Sequence, residues 1–149
     1  QREGPSANTS WLDLEALARV EVTSEDAAHP IESALLTVGA IGWRAESPGE
    51  QTVRLLFDAP QRLRRIRLLF REEKEARTQE FVLRWSPDGG RTVREIVRQQ
   101  WNFGPPETIR EAEDYRVELS GVTVLELAIV PDKSGGDARA SLAQCRLAG

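Results

Sequence analysis

The chain has 149 residues, of which 30% are charged and 40% are hydrophobic, and its formal net charge is −4. A chain of this length can bury roughly 70% of its unfolded surface, so it needs no metal or disulfide to fold. The composition is typical of one soluble globular domain and excludes a long disordered chain. No apolar run approaches the ~18 residues that a membrane span needs.

Residues that usually carry catalysis are scarce. Cys145 is the only cysteine and His29 the only histidine, which excludes an internal disulfide and a thiolate zinc cluster. Asp26, His29 and Glu32 lie close in sequence, but no nucleophile or oxyanion hole accompanies them, and we interpret them as loop and capping groups. We therefore expect no metal, no cofactor and no enzymatic activity.

The distribution of charge bears on partners. The 20 basic residues include only two lysines, Lys74 and Lys133, and the net charge is acidic, which does not favour nucleic acid. The stretch from Arg62 to Arg71, here called the basic run, is interpreted as a solvated strand face paired with glutamates on neighbouring strands. Phosphate binding by the same arginines is the alternative and stays open at this point.

Short elements are predicted in the first part of the chain. Residues 1–10 are polar and predict a flexible tail without a signal-peptide core, which favours a cytoplasmic location. A cleaved signal remains an alternative, because the chain begins without Met. Residues 11–18 fit a short helix capped by Ser10 or a strand, and residues 19–23 predict a strand. Residues 31–36 predict a helical turn started by Pro30.

Apolar residues alternate with period two over most of the remaining chain, which predicts strands. The predicted strands are residues 42–45, 51–58, 63–70, 80–85, 93–98, 115–119, 122–130 and 140–147. Leu63 breaks the alternation, so a bulge is expected near Arg64. Residues 101–113 are predicted to form a loop and Ser120-Gly121 a turn, and Pro131 is predicted to end a strand.

The run Ser86-Pro87-Asp88-Gly89-Gly90 is the clearest turn signal. Proline fixes one backbone dihedral and glycine supplies a positive φ, so the strands on either side are predicted to pair as a β-hairpin. Eight or nine short strands with turns about every ten residues indicate an all-β antiparallel sandwich or barrel. We see no domain boundary and predict one domain over residues 11–149. Its predicted core is Leu55, Phe57, Ile66, Leu68, Phe81, Leu83, Val117, Leu125, Leu127 and Ile129.

Three segments together resemble a known family. They are residues 20–35, with a strand, a loop containing His-Pro and a helical turn; residues 42–51, with Trp-Arg-Ala; and residues 85–90, with Trp-Ser-Pro-Asp-Gly-Gly. In this order they resemble the galactose-binding-like jelly roll of discoidin and coagulation-factor C-type modules. The first two segments are most similar to the N-terminal domain of the X-ray cross-complementing DNA-repair scaffold.

The resemblance covers residues 20–147 and implies a β-sandwich jelly roll with one short helical turn and a ligand site on loops at one end. Discoidin modules often carry a disulfide, which a single cysteine excludes here. The loop between Leu35 and Trp43 lacks the Asp-Gly-Asp run that often marks a metal-stabilised loop, so bound calcium is not expected. Trp43 is interpreted as a core residue rather than a sugar-stacking platform.

The predicted function is a non-catalytic recognition module that binds a carbohydrate or a protein surface. Its site is expected on the loops at residues 24–32, 72–77, 101–110 and 134–137. The candidate ligand-binding residues are Trp101, Asn102, Arg110, Arg77 and Glu73, because aromatic, amide and charged groups suit a sugar ring or a polar protein patch. The alternatives are a repair-type scaffold domain that docks a protein partner and nicked DNA, and an accessory domain of an enzyme. The oligomeric state stays open.

Overall fold

The computed structural model describes residues 11–35 and 41–149. Its elements are α1 (Leu14–Leu17), β1 (Ala18–Val22), α2 (Glu32–Leu35), β2 (Trp43–Arg44), β3 (Gln51–Arg71), β4 (Arg77–Ser86), β5 (Arg94–Phe103), β6 (Arg110–Val130), β7 (Ser141–Leu142) and β8 (Gln144–Ala148). The predicted tail at residues 1–10 and the end of the predicted helical turn at Leu36 lie outside the described residues. No helix within the described ranges combines the length and the apolar character that crossing a membrane requires.

Two long strands, β3 and β6, build the sandwich. Each has 21 residues, and they pair antiparallel with register shifts between Leu56 and Arg65. The first half of β3 and the second half of β6 belong to a five-stranded section with the order β1-β3-β6-β4-β5, whereas β8 pairs with the second half of β3. Phe70 of β3 stacks on Phe81 of β4 with ring centroids 5.1 Å apart, which joins the two sections face to face. The predicted antiparallel β-sandwich is confirmed.

The core consists of the inward-facing side chains of both sections. Nine of the ten predicted core residues are buried, and Val117 is partly buried against the same cluster. In β3 the side chains of Val53, Leu55 and Phe57 alternate with more exposed neighbours, as expected for a strand with one buried face. Trp43 is 1% exposed and belongs to the core, as predicted.

The predicted hairpin is confirmed by the pairing of β4 with β5. Gly89 and Gly90 both adopt positive φ, at 75° and 102°, which allows the chain to reverse. The carboxylate of Asp88 accepts a hydrogen bond from the Thr92 backbone N–H at 2.7 Å. This bond, with help from the Ser86 hydroxyl, lowers the pKa of Asp88 to about 2. The turn is therefore held by side-chain bonds as well as by its glycines.

Several predicted boundaries were wrong. Residues 51–58 and 63–70 form one strand, because pairing with β6 continues across the break, and the predicted bulge beside Arg64 is confirmed there. Ser120-Gly121 does not reverse the chain; Gly121 takes φ 70° inside the continuous strand β6. The final predicted strand is divided into β7 and β8. Helix α1 is capped by Asp13, whose side chain accepts a hydrogen bond from the Ala16 backbone N–H.

The predicted loop at residues 101–113 is also corrected. Strand β5 continues to Phe103 and β6 begins at Arg110, so only residues 104–109 connect them. Trp101 pairs with Gln79 and Asn102 with Thr78, across to β4. Those partners lie more than 20 residues away, so local residue preferences do not reveal the pairing.

Candidate functional site

Loops collect at one end of the sandwich, opposite the hairpin turn at residues 87–93. Arg71 at the end of β3 stands in register with Arg110 at the start of β6. The backbone N–H of Glu72 donates to the carbonyl of Ile109 at 2.8 Å, and the N–H of Lys133 donates to the carbonyl of Thr78 at 2.7 Å. The segments at residues 23–35, 41–50, 72–76, 104–109 and 131–140 therefore share this end, which we call the loop end.

The loop end contains a cleft formed by two adjoining cavities of about 140 and 250 Å³. Both cavities are lined by Ile41, Arg44, Arg71 and Ser141, and we call the whole feature the arginine cleft. Its remaining lining residues are His29, Trp43, Glu72, Glu73, Lys74, Arg139, Leu142 and Ala143.

The paired strands β2 and β7 form the base of the arginine cleft. Trp43 stands opposite Leu142, and Arg44 stands opposite Ser141. The indole N–H of Trp43 donates to the carbonyl of Ser24 at 3.1 Å, which anchors the buried ring to the loop after β1. Because side chains alternate along a strand, burial of Trp43 directs Arg44 to the exposed side.

The loop at residues 26–29 closes one side of the cleft. The backbone N–H of Asp26 donates to the carbonyl of Arg44 at 2.8 Å, and the N–H of Arg44 donates to the carbonyl of His29 at 3.2 Å. The carboxylate of Asp26 accepts the Ala28 backbone N–H and lies 3.5 Å from Nδ1 of His29, and these interactions lower its pKa. The same cleft carries Ile41, which is 67% exposed.

Cationic side chains surround the cleft without local partners. Arg44, Arg71 and Lys74 are exposed, and within residues 11–35 and 41–149 their side chains make no hydrogen bond or ion pair. Arg139 is exposed too, and its charge contributes to the lowered pKa of Asp26. The donors of these side chains are therefore available to a ligand.

Arg77, a predicted ligand-binding residue, lies inside the fold instead. Its guanidinium donates to the carboxylate of Glu72 at 2.6 Å, to the carbonyl of Pro131 at 2.6 Å and to the side-chain oxygen of Gln79 at 3.2 Å. It also lies 4.8 Å from the ring centroid of Phe103. Burial would raise the pKa of Glu72, but the bond to Arg77 and backbone donors lower it overall. Arg77 thus fixes the loop at residues 72–76 against the strands.

The other predicted site residues are divided between two places. Glu73 lines the arginine cleft. Trp101 and Asn102 line a separate cavity of about 320 Å³ beside β5, together with Gln100 and Thr108, and we call it the edge cavity. Trp101 is half-buried against the core, while Asn102 is exposed and its Oδ1 accepts a hydrogen bond from the Thr78 hydroxyl at 2.8 Å.

Arg110 is exposed next to Arg71. A ligand-binding role for the predicted residues stays a prediction.

Sequence reasoning missed Ile41, Arg44 and Ser141. The signal for Arg44 was present, because it directly follows a tryptophan that was assigned to the core.

A buried carboxyl group, that of Glu111, bonds to Gln79, which is the register partner of Trp101. Glu111 is fully buried, and its Oε1 accepts a hydrogen bond from the amide of Gln79 at 3.1 Å. Burial, and then the neighbouring carboxyl of Glu113, raise the pKa of Glu111 to about 9. Oε2 of Glu111 and Nε1 of Trp101 are buried without a hydrogen-bond partner among the described residues.

In the part of the chain that the structure describes, the potential metal-ligating side chains are dispersed and the thiol is buried. No group of three or more His, Cys, Asp or Glu side chains there is arranged to hold a metal ion. Cys145 is buried in the core, and this burial raises the pKa of its thiol to about 12. A thiol in that environment stays protonated and unreactive.

Comparison with known proteins gives matches at the level of structure. Neither protein-family models nor curated proteins match the chain. CBM32-5 of CpGH89 from Clostridium perfringens, solved in complex with GalNAc-β-1,3-galactose, has a TM-score of 0.71 at 16% identity and covers 94% of this chain and 100% of that chain. CBM32-3 from a family 31 glycoside hydrolase of Clostridium perfringens has a TM-score of 0.70 at 17% identity and covers 100% of this chain and 99% of that chain.

A third similar structure is the F5/8 type C domain of a Bacteroides fragilis protein. Its TM-score is 0.63 at 15% identity, over 94% of this chain and 95% of that chain. Likenesses at this level of identity establish the fold. The chain therefore has the jelly-roll fold shared by CBM32 and F5/8 type C domains, the discoidin-like sandwich that its motifs predicted.

Proposed function

We propose that the chain is a non-catalytic carbohydrate-binding module and that its sugar site is the arginine cleft. The observation that carries the proposal is the composition of this cleft. The exposed side chain of Ile41 offers an apolar surface to the C–H face of a sugar ring, and Arg44, Ser141 and His29 offer hydrogen-bonding groups beside it. A few placed polar groups around an apolar patch are typical of small-molecule sites.

The fold is consistent with this role. CBM32-5 of CpGH89 was solved with a bound disaccharide, and CBM32-3 comes from a glycoside hydrolase. By analogy, the chain would bring a sugar polymer to a catalytic domain and would not itself react. One fold can serve many functions, so the proposal depends on the cleft rather than on the fold alone.

Rigid support of the cleft favours binding. Arg44 and Ser141 stand on paired strands, and backbone bonds join Arg44 to Asp26 and His29. The loop that carries Glu73 is held by the buried Arg77. Groups that are ordered before the ligand arrives lower the entropic cost of binding.

Ion pairs argue against the nucleic-acid alternative. In the basic run, Arg65 lies 2.6 Å from Asp114, and Arg62 and Arg64 lie 3.5 and 3.8 Å from Glu118. Arg71, the last residue of the run, has no ion pair within the described residues and belongs to the arginine cleft instead. A phosphate ligand would have to compete with these carboxylates. Docking of a protein surface at the loop end is the alternative that is left if the folded protein binds no sugar.

The test is a glycan array followed by calorimetric titration of the best sugar. We expect Ile41→Ala to weaken binding at least fivefold. Trp101→Ala, at the edge cavity, should bind with the affinity of the parent protein once its concentration is corrected for the folded fraction. Val93→Ala is the matched control, because Val93 is also an exposed apolar residue but lies on the hairpin at the opposite end. Loss of binding in Trp101→Ala alone would move the site to the edge cavity. Failure of the folded protein to bind any sugar would overturn the proposed function.

A further inference from the structure

Positive charge dominates the arginine cleft. Four cationic side chains line it, those of Arg44, Arg71, Lys74 and Arg139, and two acidic ones, those of Glu72 and Glu73. Glu72 is already neutralised by the buried Arg77 at 2.6 Å. The cleft therefore has a surplus of positive charge within a protein whose net charge is −4.

Within the described part of the chain, several arginines on the sheet faces are ion-paired, unlike Arg44 and Arg71 of the cleft. Arg54 and Arg84 both pair with Glu126, at 3.1 and 3.0 Å, and Arg65 pairs with Asp114. In contrast, Arg44 and Arg71 have no ion pair within the described residues. Two unpaired guanidinium groups beside one cavity have no evident role in stabilising the fold, since like charges that are brought together repel each other.

We propose that the arginine cleft selects acidic sugars, in which an oxyanion is attached to the ring. This inference rests on the proposed function and names the ligand class of the same site. A guanidinium group presents its donors in a planar fork that fits two oxygens of a carboxylate at once. Uronic acids are the simplest such ligands, and sugar sulfate esters present an oxyanion of the same charge.

In this proposal, two groups of residues recognise different parts of the ligand. Ile41 and Ser141 hold the ring and its hydroxyls, and Arg44 and Arg71 hold the oxyanion. Hydrogen bonds to charged groups contribute enough for one of them to change affinity about tenfold or more. Because the cleft is open to solvent, this charge-dependent part of the affinity is also expected to fall as salt rises.

The experiment compares each neutral sugar with its acidic counterparts. The probes are galactose, galacturonic acid and galactose 6-sulfate, with the matching glucose and mannose series, titrated by calorimetry at low and physiological salt. We expect at least one acidic member to bind tenfold or more tightly than its neutral parent. Comparing the affinity of the uronic acid with that of the sulfate ester of the same sugar shows which oxyanion the cleft prefers.

Variants then identify the residues responsible. Arg44→Gln and Arg71→Gln remove charge but keep hydrogen-bonding groups, so they should bring the ratio of acidic to neutral affinity close to one. Arg71→Gln should also keep neutral binding, because Arg71 is not among the groups proposed to hold the ring, whereas Arg44→Gln is expected to weaken neutral binding as well. Arg19→Gln is the matched control, because Arg19 is exposed on β1 outside the cleft and its substitution changes the net charge equally. This variant should keep the ratio of the parent protein.

Two results would overturn the inference while leaving the proposed function intact. One is equal affinity of the parent protein for neutral sugars and their acids. The other is an acidic preference that survives in the double variant of Arg44 and Arg71. Absence of binding to every neutral and acidic probe, in a protein shown to be folded, would overturn the proposed function together with this inference.

Discussion

Substitution of Arg77 by methionine tests whether this arginine is part of the scaffold or of the ligand site. Methionine keeps most of the length of the side chain and its packing on Phe103, but it removes the guanidinium. The carboxylate of Glu72 and the carbonyl of Pro131 then each lose a bond of 2.6 Å. Gln79 loses a longer bond of 3.2 Å.

The magnitude follows from burial. The Arg77 side chain is 1% exposed and that of Glu72 is 15% exposed. Water can therefore solvate little of the Glu72 carboxylate after the guanidinium is removed. Removing one partner from a buried ion pair costs about 3–5 kcal/mol of folding free energy, because the other charge is left uncompensated. For a chain of this size, that corresponds to a fall in melting temperature of roughly 10 °C.

The assay is urea unfolding followed by tryptophan fluorescence. Glu72→Gln is measured alone and combined with Arg77→Met, and the double variant should recover part of the loss because no unpaired charge remains. Arg110→Met is the control, since Arg110 is an exposed arginine at the same end. A loss below about 1 kcal/mol in Arg77→Met, the range of a surface ion pair, would refute the reasoning and return Arg77 to the ligand site.

Two further predictions concern the core. The pKa of Glu111 is raised to about 9 in the folded protein from an ordinary 4.5, so the carboxyl loses its proton more easily after unfolding. Its contribution to stability is full below pH 4.5 and falls as pH rises toward 9, and Glu111→Gln should flatten this decline in urea titrations at several pH values. An unchanged slope would show that Glu111 is ionised inside the fold. Leu127→Ala should lose about 2–5 kcal/mol on unfolding, since Leu127 is 5% exposed. A loss no larger than that of Val93→Ala on the surface would contradict the core assignment.

Local chemistry was sufficient to predict the hairpin and most of the core. The Asp88-Gly89-Gly90 turn depends on neighbouring residues, and alternation along a strand identifies its buried face. The continuity of β3 could not be predicted in this way. Residues 58–61 include Asp and Pro, which usually indicate a turn, and only pairing with β6 keeps the strand going.

The sequence was sufficient to predict which loops carry the candidate site, but not which residues line it. Arg77 follows a charged, loop-like stretch, yet its burial is decided by Phe103 and the carbonyl of Pro131, which are distant in sequence. Arg44 and Ser141 meet through a pair of two-residue strands. Such short strands have no alternation of their own from which their pairing could be predicted.

The passage of β3 and β6 through both sections of the sandwich has a consequence for how the protein folds. The two layers share a continuous backbone, so they cannot separate as independent units, and loss of either is expected to carry the other with it in one cooperative step. The pairing also joins distant parts of the chain, with Gln51 opposite Ile129. Closing such long loops costs conformational entropy before the stabilising contacts between the strands have formed. Folding is therefore expected to be slow compared with that of helical domains of similar size. The two shared strands are thus expected to make unfolding cooperative and to make formation of the native strand register slow.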